Sequence, residues 1–151
     1  MMRMHNSAPA SSTPCPCTAL RKASRALSRA YDGALAGTGL NIGQLGILRA
    51  IERAGDPPIS RLAETMVMDR TSLYRALTPM VRSGWIEIAN EPSGRAKRVA
   101  LTEEGLRVTH GAAEAWDGAQ ARFLNAFGAD RWASVHEHLF ALAALGVELI
   151  I

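Results

Sequence analysis

Three groups of side chains in this sequence could do chemistry. The first is a Cys-x-Cys pair, Cys15 and Cys17. A thiol near a helix N-terminus and basic side chains gains thiolate character. Oxidation would take it to a sulfenic acid and then to a disulfide with a second thiol. Two thiolates are also half of a soft-metal site, and a cysteine can equally serve as a small buried hydrophobe. The second group is Asp69-Arg-Thr-Ser-Leu-Tyr-Arg75. Arg70, Thr71, Ser72, Tyr74 and Arg75 offer hydrogen bonds on the face away from Leu73 and Leu77. Arginine grips a guanine edge with two donors, Thr and Ser reach bases or phosphates, and the Thr methyl suits thymine. The third group is Arg95, Lys97 and Arg98, beside the turn-forming run Asn90-Glu-Pro-Ser-Gly94. A thin basic loop fits the minor groove, where the negative potential is strong. No nucleophile–base pair, metal cluster or phosphate loop is recognisable, so neither catalysis nor a cofactor is expected. His136 and His138 are two apart on a helical pattern and point to different faces. His110 is expected at the surface or in a structural role.

The elements around these groups can be read from periodicity and breakers. Leu20, Ala23, Leu27, Ala30, Tyr31, Ala34 and Leu35 recur at spacings of three and four from about Pro16, which predicts a first helix. Gly37 and Gly39 end it. Asn41 and Gln44 form a capping box for a second helix carrying Leu45, Leu48 and Ile51 inward. Ala54-Gly-Asp-Pro-Pro58 breaks that helix. Ser60 can cap a short third helix holding Leu62, Ala63 and Met66. After a turn at Val67-Met68, Asp69 can cap a fourth, Arg70 to Ser83, with Pro79 bending it or removing one hydrogen bond near its end. Trp85 to Ala89 and Arg98 to Leu101 read as the strands of a hairpin with a basic tip. Thr102-Glu-Glu104 starts a long fifth helix, ended by Gly128, and a last helix carries Trp132, Val135, Leu139, Leu142, Leu145 and Leu149.

Helix, short helix, turn, helix and basic hairpin, in that order, predict a mainly α fold of the winged helix-turn-helix type. In such a module the second helix of the pair enters the major groove by its N-terminus. The charge distribution points the same way. The net charge is +3, and residues 59–101 hold seven basic and four acidic side chains, so the whole excess lies in that one segment. The chain of 151 residues suits one domain. Residues 1–13 read as a disordered tail and 14–151 as a single domain. No run approaches a membrane span and the N-terminus has no apolar signal-peptide centre, so a cytoplasmic location is expected. There both cysteines would be thiols at rest.

Several segments, taken in order, resemble the MarR family of regulators over roughly residues 16–149. They are Leu40-Asn-Ile-Gly-Gln44, Ile59-Ser-Arg-Leu-Ala-Glu64, Asp69 to Arg75, Val81-Arg-Ser-Gly-Trp-Ile86 and Arg95 to Gly105. The resemblance implies a homodimer formed by terminal helices 14–36 and 102–151, with 40–101 as the DNA-binding part. It implies a pseudo-palindromic operator in double-stranded DNA, and a repressor released by a small organic effector or an oxidant. The DNA-facing set it implies is Ser60, Asp69, Arg70, Thr71, Ser72, Tyr74, Arg75, Arg95, Lys97 and Arg98. Ser93 stands where the family often has an aspartate that orients the wing arginine. Cys17 is similar in position to the sensing cysteine of the peroxide-responsive branch, where a tyrosine matching Tyr31 bonds to it. Arg21 replaces that branch's second tyrosine.

Two other readings compete. A winged-helix module that binds protein would tolerate charge reversal at Arg95 and Lys97. A thiol-based sensor would need Cys17.

Overall fold

The computed structural model describes residues 13–150. The expected tail therefore lies outside the described residues but for Thr13. Seven helices and one hairpin follow in order: α1 Pro16–Leu35, α2 Ile42–Ala54, α3 Ile59–Met66, α4 Arg70–Arg82, β1 Ile86–Asn90, β2 Lys97–Leu101, α5 Glu103–Gly111, α6 Ala113–Phe127 and α7 Ala129–Glu148. This is the mainly helical fold with a hairpin wing that the residue order predicts.

The core forms where the apolar periodicity is strictest. Leu45, Leu48 and Ile51 of α2 meet Leu62 of α3, Leu73, Leu77 and Met80 of α4, and Ile86 and Val99 of the hairpin, all fully buried. Removing each such side chain from water is worth about 1.5–3 kcal/mol. α2 starts as expected. The Asn41 carboxamide oxygen accepts from Gln44 N–H at 2.8 Å, and Gln44 Oε1 accepts from Asn41 N–H at 3.0 Å. Asp32 of α1 also accepts from the Ile42 N–H at 2.7 Å, which ties the end of α1 to the start of α2.

Three local expectations need correction. Ser60 does not cap α3; the cap position is Pro58, and Ser60 lies inside the first turn. Two prolines already hold the chain extended up to that point, so the helix starts without a side-chain cap. The long fifth helix is two helices, α5 and α6, meeting at Ala112, whose φ and ψ are −85° and −7°. Ala112 is fully buried against the core, and Gly111 beside it holds helical geometry poorly. Both strands also shift or extend by one residue, because Asn90 pairs with Lys97 at the tip end of the ladder. Pro79 leaves α4 intact to Arg82.

The base of the hairpin is clamped to α5. Thr102 accepts from the Gly105 N–H at 3.0 Å, capping α5, and its hydroxyl donates to the Gly84 carbonyl at 2.5 Å. The Thr102 N–H donates to the Trp85 carbonyl at 3.0 Å. A Cβ built on Gly105 would stand 1.9 Å from that same oxygen, so only glycine fits there.

Candidate nucleic-acid interface

The turn between α3 and α4 is tight because Val67 takes a left-handed φ of 51° and caps α3 through its N–H. Asp69 then starts α4. Its carboxylate accepts from the Ser72 hydroxyl at 2.7 Å and from the Ser72 N–H at 2.8 Å. Those two bonds hold the Asp69 carboxyl below the usual range, so it stays ionised against the helix N-terminus. With Leu73, Leu77 and Met80 buried, α4 has its opposite side free: Arg70, Thr71, Tyr74 and Arg75 are exposed, and Ser72 is half-buried. Arg70 and Tyr74 are one turn apart on one line of the helix, and Thr71 and Arg75 on the next.

The hairpin projects beside this face. Beyond the Asn90–Lys97 pair the turn is closed by two backbone bonds, Glu91 N–H to the Ala96 carbonyl at 2.7 Å and Gly94 N–H to the Glu91 carbonyl at 2.8 Å. Gly94 takes a φ of 69°, which glycine adopts without strain. A cleft of about 250 Å³ lies between hairpin and helices, and Ser60, Arg70, Tyr74, Arg95 and Lys97 all line it. Residues up to 37 positions apart thus share one basic wall, although α3, α4 and the hairpin contribute them separately.

Two residues of the expected set, both exposed, bond to protein partners. Asp69 spends both carboxylate oxygens on Ser72. Arg98 donates from Nη1 to the Asp56 carbonyl at 2.6 Å, and its Nε lies 2.9 Å from Glu91 Oε1. Glu91 was not singled out by its sequence position. The signal for it was present all the same: an acid and a base flanking a turn at cross-strand distance.

A second region is apolar. α1, α2, α6 and α7 line an open apolar cleft of about 720 Å³, with Tyr31, Trp116, Gln120, Phe123, Phe127 and Trp132 among its walls. Its volume falls in the ordinary range for small-molecule pockets. The Tyr31 hydroxyl donates to Gln120 Oε1 at 2.5 Å, and burial pushes the phenol pKa up. Arg49 stacks over Trp116 with its guanidinium carbon 4.4 Å from the ring centre, linking this cleft to α2. Cys15 and Cys17 are both exposed at the far end of α1. The nearby Thr18 N–H and hydroxyl lower the Cys15 thiol pKa. Tyr31 is fourteen residues from Cys17 on one helix, about 21 Å along its axis, so the two do not meet within one chain. His110 is exposed and approaches Glu52 at 2.6 Å. Among the described residues no helix is long and apolar enough to cross a membrane.

Comparison with known proteins adds to this geometry. The sequence profile of the MarR family matches residues 40–93. No curated protein sequence matches the chain significantly. Among solved structures, the Mycobacterium tuberculosis transcriptional regulator MosR in complex with DNA is 30% identical. That match covers 91% of this chain and 100% of MosR, with a TM-score of 0.84. A mutant Escherichia coli MarR bound to operator DNA is 20% identical over 83% of this chain and 91% of its own, with a TM-score of 0.75. The Streptomyces coelicolor regulator PcaV, solved with its natural ligand, is 21% identical over 85% and 92%, with a TM-score of 0.76. The last two share the fold.

Proposed function

Because this chain belongs to the MarR family of transcriptional regulators, and so is a DNA-binding regulator and not an enzyme, we propose that it is a homodimeric, cytoplasmic repressor that a small organic molecule releases from its operator. The domain spans residues 14–151, with 40–101 as the DNA-binding part and the flanking helices as the dimer seam. The observation that carries the reading is the basic cleft shared by α3, α4 and the hairpin. Arg70, Thr71, Ser72, Tyr74 and Arg75 read or grip the major groove, Ser60 takes a phosphate at its edge, and Arg95 and Lys97 reach the minor groove.

Dimerisation is supported by α7. It buries no residue in the single chain, and it leaves Phe140, Leu142, Leu145 and Val147 exposed, as is Leu149 just past its end. An apolar stripe of that length on a lone protomer calls for a partner surface. Two-fold symmetry would set the two α4 helices about 34 Å apart, one turn of duplex, and so select a pseudo-palindrome. The apolar cleft beside Tyr31 and Gln120 supports an organic effector, because Arg49 on Trp116 joins it to the helix that carries the core of the DNA-binding part.

A second reading, release by oxidation, is favoured by one observation: Cys15 and Cys17 are both exposed, and Cys15 has a lowered thiol pKa. A peroxide would convert one thiolate to a sulfenic acid with loss of water or alcohol. The second thiol would then displace water to close a disulfide.

Selection of bound duplexes from a random pool tests the function. A pseudo-palindromic consensus is expected, with affinity that falls steeply as salt rises. Binding that is flat in salt, or no enriched sequence, overturns the reading. Repeating the binding with peroxide, with and without Cys17→Ser, separates the two triggers. Release by peroxide that the substitution abolishes selects the thiol; indifference to peroxide leaves the organic effector.

A further inference from the structure

The hairpin carries an ion pair whose placement suggests a job of its own. Resting on the DNA-binding reading, we propose that Glu91 and Arg98 form a latch that sets the angle of the wing. Arg98 is then a positioning residue that holds Arg95 in place, and it is not a phosphate contact.

The pair straddles the end of the hairpin ladder. The last rung of the hairpin ladder is Asn90 opposite Lys97. Past that rung the backbone bonds are those of the turn itself. Glu91 is the first residue on the tip side of the rung, and Arg98 is the first on the body side. The bond from Arg98 Nε to Glu91 Oε1, at 2.9 Å, therefore ties the turn to the paired strands across that rung. Arg98 is anchored on the body side by a second bond, from Nη1 to the Asp56 carbonyl at 2.6 Å. Asp56 lies in the loop that launches α3 and holds a left-handed φ of 54°. Backbone contacts reinforce this anchor: the Val99 N–H donates to the Pro57 carbonyl at 3.1 Å, and Pro58 bridges to Arg98 itself. The chain of contacts runs from the α2–α3 loop through Arg98 to the wing turn, four residues short of Arg95.

Charge and exposure favour the same role. The guanidinium has five N–H donors in a fixed fork, and two groups of the protein already orient that fork. The Glu91 side chain is 20% exposed against 46% for Arg98, so the carboxylate is the more sheltered partner. An unpaired carboxylate at that point would face phosphates and repel them. Pairing cancels that charge and leaves Arg95 and Lys97 as the free cations of the tip. Glu91 thereby supplies an acid to a wing whose position 93 is Ser93.

The test is operator binding by the full-length protein over a salt series, with Glu91→Ala, Glu91→Gln, Arg98→Ala and each combined with Arg95→Ala. Thermal unfolding of every variant checks that it folds. Glu91→Ala should weaken operator binding about two- to fivefold, the scale of a partly exposed ion pair. In the Arg95→Ala background it should do almost nothing, because the residue it positions is gone. Arg98→Ala in that background should leave the slope of log affinity against log salt unchanged. A slope shallower by about 0.9 would make Arg98 a phosphate contact and overturn the proposal. Tighter binding by Glu91→Ala would also overturn it, since Glu91 would then only repel DNA. Should Glu91→Ala unfold, Glu91→Gln carries the same comparison with the side chain's shape retained. If the unaltered protein binds no duplex, the DNA-binding reading fails. If it binds and all variants equal it, the latch alone fails.

Discussion

The stretch from Leu35 to Ala112 and the helices on either side of it are packed to different standards. Among the described residues, all buried apolar side chains but Ala119 lie within that stretch. α1 buries only Leu35, at its last position, and α7 buries nothing. The winged-helix part is thus complete as a single chain, with a closed core and every helix from α2 to α4 held on a buried face. The outer helices also carry apolar residues, but they leave Leu20, Leu27, Phe140, Leu142 and Leu145 exposed in the protomer. The difference separates two kinds of hydrophobic stripe in one chain, one satisfied by folding and one still exposed in the protomer.

The exposed stripe is challenged most directly at α7. Leu142→Glu with Leu145→Glu places two charges on the exposed stripe while touching no core residue. Analytical ultracentrifugation should show the mass halved, and the far-ultraviolet circular dichroism should keep its helical signal. A dimer that survives both charges would mean that α7 is not the seam. The opposite test lies in the closed core. Gly105→Ala drives a Cβ into the Trp85 carbonyl and should cost about 1–3 kcal/mol in urea unfolding. A glycine in an open helical position does the reverse. Gly46→Ala in α2 meets nothing within 4 Å and should gain up to about 1 kcal/mol. Equal effects at the two sites would refute the close approach at Gly105.

Function should divide along the same line. Arg75→Ala on α4 should cost about 1–3 kcal/mol on the selected operator and much less on random DNA if it reads a base. Arg95→Ala should weaken both more evenly, with a shallower salt slope, if it follows groove shape and phosphate charge. Filter binding or fluorescence anisotropy on the two duplexes separates them. An even loss for Arg75→Ala would reassign it to the backbone.

The sequence made the winged-helix part legible because local signals there agree with tertiary packing. Asn41 and Gln44 box the start of α2, Asp69 caps α4, and Leu73 and Leu77 repeat at the helical period. The turn run from Asn90 to Gly94 sits between two strands that pair in register. What sequence missed depended on distance. Arg98 looked like one more cation of the wing until its partners, Glu91 seven residues back and Asp56 forty-two back, were in view. Ser60 looked like a cap because capping chemistry is local, but the two prolines before it had already set the helix start. The break at Ala112 was masked by the alanines that follow Gly111, and the buried contact of Ala112 shows why the chain turns there.

The smallest expected effect lies at Asp69, and it tests whether charge as well as shape starts α4. Its carboxyl is held below the ordinary range first by the Ser72 hydroxyl and then by the Ser72 N–H. A carboxyl whose folded pKa is depressed adds stability above its unfolded pKa of about 3.9 and loses it as pH falls through the lower folded value. Asp69→Asn keeps a good capping side chain and removes only the charge. Thermal melts from pH 6 down to pH 2 should therefore show the natural protein above the variant at neutral pH, with the gap closing at the acid end. Asp69 is fully exposed, so salt should shrink the gap further. Protein concentration must be held constant across the series, because dimerisation through α7 would otherwise move both melts. Parallel curves would mean that the carboxylate acts on α4 by shape alone, and that the first turn of α4 would tolerate an uncharged cap.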